Sequence, residues 1–445
     1  MRQRVTVAAS AAMLLVWSCF AADQPPVVAT QNDRVLQHHE IRADQMPLPF
    51  ATRSSGNPPI VLARPKKAAL HVPPGFNVTL WATDFGDPRN MVYAPNGDIF
   101  VAEPGDGKIT ILRGGRPDQR ATFASRLREP FGLAFRGPWL YVGNVDELVR
   151  FRYQNGQVAA SGKAEHVAVL SPGGHSTRNI IFNRDGTKLY VAVGSRSNVS
   201  DETSTPIRAA ITEMNPDGSG AHVFASGLRN PVGLAWNPAN GALWTSVNER
   251  DGLGDDLVPD YVTEVRAGAF YGWPFSYIGK NVDPRRKGER ADLVAKAIVP
   301  TVLLQSHSAG LGIAFYDGTM FPAHYRGGLF VAMHGSWNRT QRTGYKVVFV
   351  PFMSGRASSG YDDFLAGFSP DPNGHTVWGR PVGLLVLHDG SLLVSDDGAG
   401  VIWRVTFGKT GDVIPSREDG EESGRRTAPS PRSFALSGAQ DDTYF

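Results

Sequence analysis

Residues 171–194 read SPGGHSTRNIIFNRDGTKLYVAVG. In the second half Ile180, Ile181 and Phe182 form an apolar run, Asn183-Arg-Asp-Gly186 turns the chain, and Leu189, Val191 and Val193 alternate on the return. Period-2 alternation beside an Asp-Gly turn predicts a β-hairpin. The first half is of another kind. Gly173 and Gly174 precede His175 on a loop just ahead of the strand, with Arg178 three residues later. A loop histidine held by a rigid sheet can serve as a general base. A surface or structural histidine is the alternative for any one of the eleven in the chain.

The hairpin recurs along the chain. Working outward, the unit reads MVYAPNGDIFVAE from Met91, GLAFRGPWLYVGN from Gly132, GLAWNPANGALWTSVN from Gly233, and GLLVLHDGSLLVSDD from Gly383. A copy from Gly312, GIAFYDGTMFPAHYRGGLFVAMHG, carries an insertion in its turn. With the unit at Ile180, the six starts lie 41, 48, 53, 79 and 71 residues apart. Strand units repeating at roughly 40–50 residues are the mark of β-propeller blades. The predicted fold is therefore all-β, a six-bladed β-propeller over 72–407, beginning at Val72-Pro-Pro-Gly75. Strand Asn77–Trp81 and strand Val401–Phe407 are expected in one blade, closing the ring. The longest excursions, 249–309 and 335–381, are expected to build the site, since long loops on one face commonly do.

Composition agrees with many short strands and tight turns: 49 Gly and 32 Pro in 445 residues, with 20% charged. The net charge is +3 without a concentrated basic face, which argues against a nucleic-acid partner. Residues 1–22 read as a signal peptide: Arg2 and Arg4, then a mostly apolar run from Val5 to Phe20, then Ala21 and Ala22. The expected location is exported, periplasmic or secreted. Cys19, the only cysteine, sits in an imperfect lipoprotein signal, so the membrane is a partner only if it is lipidated. Residues 23–71 read as an extended N-terminal arm or linker, partly disordered, although Ile60–Leu62 could form a strand on the domain. Residues 408–445 read as a polar, disordered C-terminal tail.

Chemistry-bearing residues gather near the starts and ends of the units. Arg229 and Asn230, in GLRNPVG, approach the fourth unit as His175 approaches the third. An arginine there offers a planar donor fork for a carboxylate or phosphate, or braces loop carbonyls. The acidic, Gly-rich NERDGLGDD (248–256) could present oxygen ligands to a hard cation, or form Asx turns without metal. YGWP (271–274) offers an aromatic platform or core aromatics. His307, His334, Trp337, Arg339, Trp378 and Arg380 also fall where a propeller gathers residues at its channel. Several arginines converging there point to a small polyanionic ligand.

Together GGHSTRN (173–179), GLRNPVGLAW (227–236), NERDGLGDD (248–256), YGWP (271–274), HGSWNR (334–339) and GRPVGLL (379–385) resemble the soluble pyrroloquinoline quinone (PQQ)-dependent sugar dehydrogenases. The likeness is greatest to their L-sorbosone dehydrogenase-like branch and spans about 72–407. It implies a six-bladed propeller with PQQ and Ca²⁺ as cofactors. It implies His175 as the base that takes the substrate hydroxyl proton. It further implies Arg229, Asn230, Arg380 and, by a looser alignment, Arg339 as cofactor contacts, with Arg178 and Arg89 further candidates by position. Asp251 and Gly252 would hold Ca²⁺ through backbone carbonyls. Trp273 and Asn198 are the expected substrate contacts. The substrate would be a sugar or sugar-derived aldehyde, and electrons would leave to a small quinone or a cytochrome. Trp378 stands where glucose-oxidising members carry a second arginine, which sets this chain apart from them. Two other readings compete: a Ca²⁺-dependent lactonase-like hydrolase and a non-catalytic binding propeller. The arginine-rich, carboxylate-poor channel argues against the first, and His175 beside the arginine and metal-loop positions argues against the second.

Overall fold

The six units become six antiparallel sheets in this computed structural model, which describes residues 30–31, 36–66 and 68–408. The signal segment with Cys19, and all of the tail after Gly408, lie outside the described residues. Blade 3 shows the rule. Arg178–Phe182 pairs with Leu189–Val193 in the register Ile180↔Val191, and Ala210–Met214 and His222–Ser226 follow outward. Its Asp-Gly turn needs Gly186, which sits at φ 69°. The innermost strands of the six blades are Met91–Tyr93, Gly132–Arg136, Arg178–Phe182, Asn230–Trp236, Gly310–Phe315 and Pro381–Val386. Each touches the next, and the sixth touches the first, so the ring is closed. Closure is covalently staggered as expected: Phe76–Ala82 pairs with Val401–Phe407 at the rim of blade 6, with Phe76 opposite Phe407.

Glycine opens the repeats for a steric reason. A Cβ on Gly132 would stand 2.3 Å from the Arg178 carbonyl oxygen, and one on Gly383 2.2 Å from that of Arg89. Gly233 and Gly312 meet the carbonyls of Leu311 and Val382 as closely, at 2.4 and 2.3 Å. The inner strands thus pack backbone to backbone around a narrow channel. Phe131, Val232, Leu311 and Val382 form one buried apolar cluster across it. Val232, Leu311 and Val382 lie one or two residues along the inner strands from Asn230, Gly310 and Arg380, so the cluster is a dry floor beneath those residues.

The N-terminal arm is docked where it is described. His38–Glu40 adds a fifth strand to blade 5 against Gly360–Leu365, and Ile60–Val61 runs parallel to Thr376–Val377. Between them, the Phe50 amide donates to Leu253 O at 2.7 Å and the Asn57 amide to Trp337 O at 2.7 Å. Asn57 is buried and takes donors from Arg342 (2.9 Å) and His375 (2.7 Å) on Oδ1. This segment is a strap over the loops of blades 4 and 5, in place of the loose tether its composition suggests. Nonlocal partners satisfy its backbone, which a weakly patterned stretch cannot announce.

Candidate active site

His175 is placed by carbonyls. Its amide N (3.1 Å) and its Nδ1 (2.8 Å) both point at the Ser195 carbonyl oxygen. A carbonyl only accepts, so Nδ1 carries the proton and Nε2 keeps a lone pair. The ring is half-buried, and among the described residues Nε2 has no protein partner. Burial, with Arg229 next in strength, pushes the imidazolium down to about 3. The histidine is therefore a neutral base at neutral pH. Gly174, at φ 63°, presses within 2.3 Å (from its Cβ position) of the Arg196 backbone, which admits only glycine. Gly194 is packed as tightly: a Cβ there would lie 2.3 Å from Asn230 Oδ1 and 2.7 Å from the His175 Cβ.

The loop is braced from behind. Arg178 is fully buried and donates to the carbonyls of His175 (2.5 Å), Thr177 (2.9 Å) and Ser171 (2.6 Å). Arg208 donates to the carbonyls of Ser171 (2.6 Å), Pro172 (2.5 Å) and Gly194 (3.1 Å). Burial and the Arg208 charge push Arg178 down to about 9. Its Nη groups are given to loop carbonyls while Nε is buried without a partner, so in this structure Arg178 braces the His175 loop.

Blade 4 supplies the next wall. Arg229 donates to Glu249 O at 2.8 Å and pairs with Asp251 Oδ2 at 3.0 Å. Burial opposes ionisation of Asp251, yet Arg229 and His307 hold its carboxyl down at about 2. Asn338 donates to the other carboxylate oxygen, and His307 Nδ1 stands 3.4 Å from it. Asn230 reaches Asn248 at 3.3 Å through Nδ2, while its Oδ1 is buried without a partner.

Blades 5, 6 and 1 supply a second charge cluster. His334 Nε2 donates to Asp397 Oδ1 at 2.8 Å, and Arg89 pairs with Asp397 Oδ2 at 2.7 Å. Arg380 donates through Nε to the His334 carbonyl at 3.3 Å and lies over the Tyr345 ring at 6.0 Å. Its Nη groups make no hydrogen bond among the described residues. Burial and Arg380 push His334 down to about 4, so a neutral imidazole donates to an ionised Asp397. The cluster keeps a net positive charge with an open guanidinium face.

The other expected contacts have protein partners in this structure. Arg339 bonds Asp255 O (2.9 Å) and Asp256 (2.6 Å), and lines a cleft beside Glu40–Pro47 of the arm. Trp273 is buried, donating to Asn198 O at 2.7 Å. Asn198 spends its amide on Asp251, Oδ1 on the backbone N (2.9 Å) and Nδ2 on the carbonyl (3.0 Å). Of the Asp251 and Gly252 carbonyls expected for Ca²⁺, that of Asp251 is engaged by side chains. The Asp251 oxygen accepts from Asn198 and also from Arg285 Nη1 at 2.8 Å, which uses both lone pairs. The same Nη1 lies 3.1 Å from the Cβ position of Gly252. Arg208, Asn338, Asp397 and Arg285 escaped the sequence reading. Asp397 had a signal: the register Pro381↔Asp396 matches Pro231↔Val247, so Asp397 stands where the fourth unit has Asn248, the first residue of its acidic loop.

A profile of the TrAA12-like family matches residues 70–264 and 278–407. The chain belongs to the TrAA12-like family. A Borreliella burgdorferi protein of uncharacterized function is 31% identical to this TrAA12-like chain over 77% of its length and 92% of its own. The pyrroloquinoline quinone-dependent pyranose dehydrogenase of Coprinopsis cinerea is 25% identical, covering 76% of this chain and 54% of that protein. Among solved structures, the iodide structure of the Trichoderma reesei Carbohydrate-Active Enzymes Family AA12 protein superposes with a TM-score of 0.68 at 22% identity. That match covers 78% of this chain and 99% of the other. The motif resemblance and these relatives agree.

Proposed function

We propose that this TrAA12-like chain is a PQQ-dependent dehydrogenase that oxidises a sugar or sugar-derived aldehyde, aldose or sorbosone-like, in the propeller channel. The observation that carries the proposal is the pair of open groups over the dry floor: the His175 Nε2 lone pair and the unpaired Nη face of Arg380. The PQQ reading has support in the donor set. A flat tricarboxylate quinone suits Arg380, Arg229 and Asn230, which stand on the same channel mouth as His175. When bound, PQQ supplies the two-electron acceptor, with Ca²⁺ as a Lewis acid beside it.

The chain's own residues do the rest. His175 takes the hydroxyl proton from the carbon being oxidised, as hydride leaves that carbon. An aldehyde presents the same hydroxyl as its hydrate. Ser195 O fixes the tautomer that makes Nε2 the acceptor, and Arg178 and Arg208 fix the loop. Burial and then Arg229 keep His175 neutral, and Arg229 anchors Asp251. Phe131, Val232, Leu311 and Val382 exclude water from below. Export and electron delivery to a small quinone or cytochrome belong to the same proposal. The test is dye-linked reduction by purified chain reconstituted with PQQ and Ca²⁺, over a panel of aldoses and sugar-derived aldehydes. Turnover requiring PQQ and at least one of them is expected. Turnover without PQQ, or lactone opening in its place, would overturn the reading.

A further inference from the structure

The Asp251–Gly252 turn already holds a cation, and it is a side chain. Arg285 lies at the end of a salt-linked chain. Its Nε and Nη2 grip Asp283 at 2.9 and 2.8 Å, and fully buried Asp283 is also held by Arg250 at 3.2 Å. The remaining arm, Nη1, donates to Asp251 O. The Arg285 side chain is 27% exposed, so it can swing to water while Asp283 keeps Arg250. Gly252, at φ 87°, has no side chain to keep the guanidinium away. Ca²⁺ binds through 6–8 oxygens at about 2.3–2.6 Å and cannot share a carbonyl lone pair with a guanidinium.

We propose that Arg285 is a built-in competitor for the cation position at the Asp251 carbonyl, so that Ca²⁺ enters the turn only as Arg285 releases it. This rests on the reading of the channel as a PQQ and Ca²⁺ site. Arg285 is thus an affinity-setting residue. Removing it must tighten metal binding, whereas mere damage to the loop would weaken it.

The experiment is calorimetric titration of Ca²⁺ alone into the EDTA-stripped full chain, comparing wild type with Arg285→Ala and Arg285→Gln. Losing one charge-assisted hydrogen bond to the carbonyl predicts an about tenfold lower Kd for Arg285→Ala. Arg285→Gln, neutral but still a donor, is expected between the two. Circular dichroism melts show whether each variant is folded, and Arg285→Gln, which keeps a polar partner for Asp283, stands in should Arg285→Ala fail. Equal or weaker Ca²⁺ binding in the folded variants, or none in any of the three, overturns the proposal. PQQ binding is measured separately on the same stripped proteins by absorbance. Its failure in all three counts against the dehydrogenase reading, while the Ca²⁺ comparison still decides the role of Arg285.

Discussion

Replacing His175 by alanine removes the one group in the channel whose lone pair is aimed by a backbone carbonyl and left free. The fold should survive, because His175 sits on a loop outside the paired strands. Cofactor affinity should change little, because Arg380, Arg229 and Asn230 remain. The chemical step should slow by roughly 10²–10⁴-fold, the range for a positioned base. The pH profile gives a sharper reading. A proton acceptor works only when neutral, and this histidine has its folded pKa lowered, so activity falls as pH drops through that value and not before. At pH 5 an ordinary histidine would be only ~3% neutral. With its pKa at about 3, His175 is still almost wholly neutral there. The two cases differ by roughly 30-fold in active fraction at pH 5. The assay is stopped-flow single turnover at saturating cofactor between pH 4 and pH 8, for wild type and His175→Ala. A wild-type rate that halves near pH 6.5, or a variant within a few fold of wild type, would refute the reasoning.

Other substitutions separate binding from positioning. Gly194→Ala puts a methyl 2.3 Å from Asn230 Oδ1 and 2.7 Å from the His175 Cβ. It should abolish PQQ binding in an absorbance titration while the circular dichroism spectrum stays unchanged. Arg380→Ala removes an open guanidinium, and should weaken PQQ by about 10–100-fold, a charged hydrogen bond's worth, with rate partly recovered at high PQQ. Arg178→Ala strips donors from three loop carbonyls. It should cost about 2–3 kcal/mol in urea unfolding, and Arg178→Lys should not restore it, because one ammonium cannot span the three carbonyls.

The propeller was legible because its signals are local. Alternation over five residues and an Asp-Gly turn specify each hairpin, and six hairpins specify the ring. Strand 76–82 could be matched to 401–407 because a ring must close. The glycine at the head of four of the six units was visible, but its cause, a neighbouring carbonyl within 2.4 Å, exists only in the assembled ring. His175, Arg229, Asn230, Asp251 and Arg380 were legible as residues at strand mouths. Their roles divide on partners that sequence does not carry. Arg178 and Arg380 look alike in the chain, yet one is turned onto carbonyls of its own loop and the other is left open. Arg339 and Asn198 are drawn off by the acidic loop, and Arg285 reaches Asp251 across 34 positions. The docking of the arm was only half legible for the same reason: Ile60–Leu62 could be read as a strand, but Asn57 is buried by Arg342 and His375, roughly 300 residues away.

The account stands most directly on one equilibrium: PQQ added to the purified chain in the presence of Ca²⁺ and followed by isothermal calorimetry, beside an Arg229→Ala/Arg380→Ala double variant of verified fold. Saturable binding of one PQQ per chain is expected, lost in the double variant by well over tenfold. No binding to the wild type, or equal binding to both proteins, would contradict a cofactor site at the mouth of this channel.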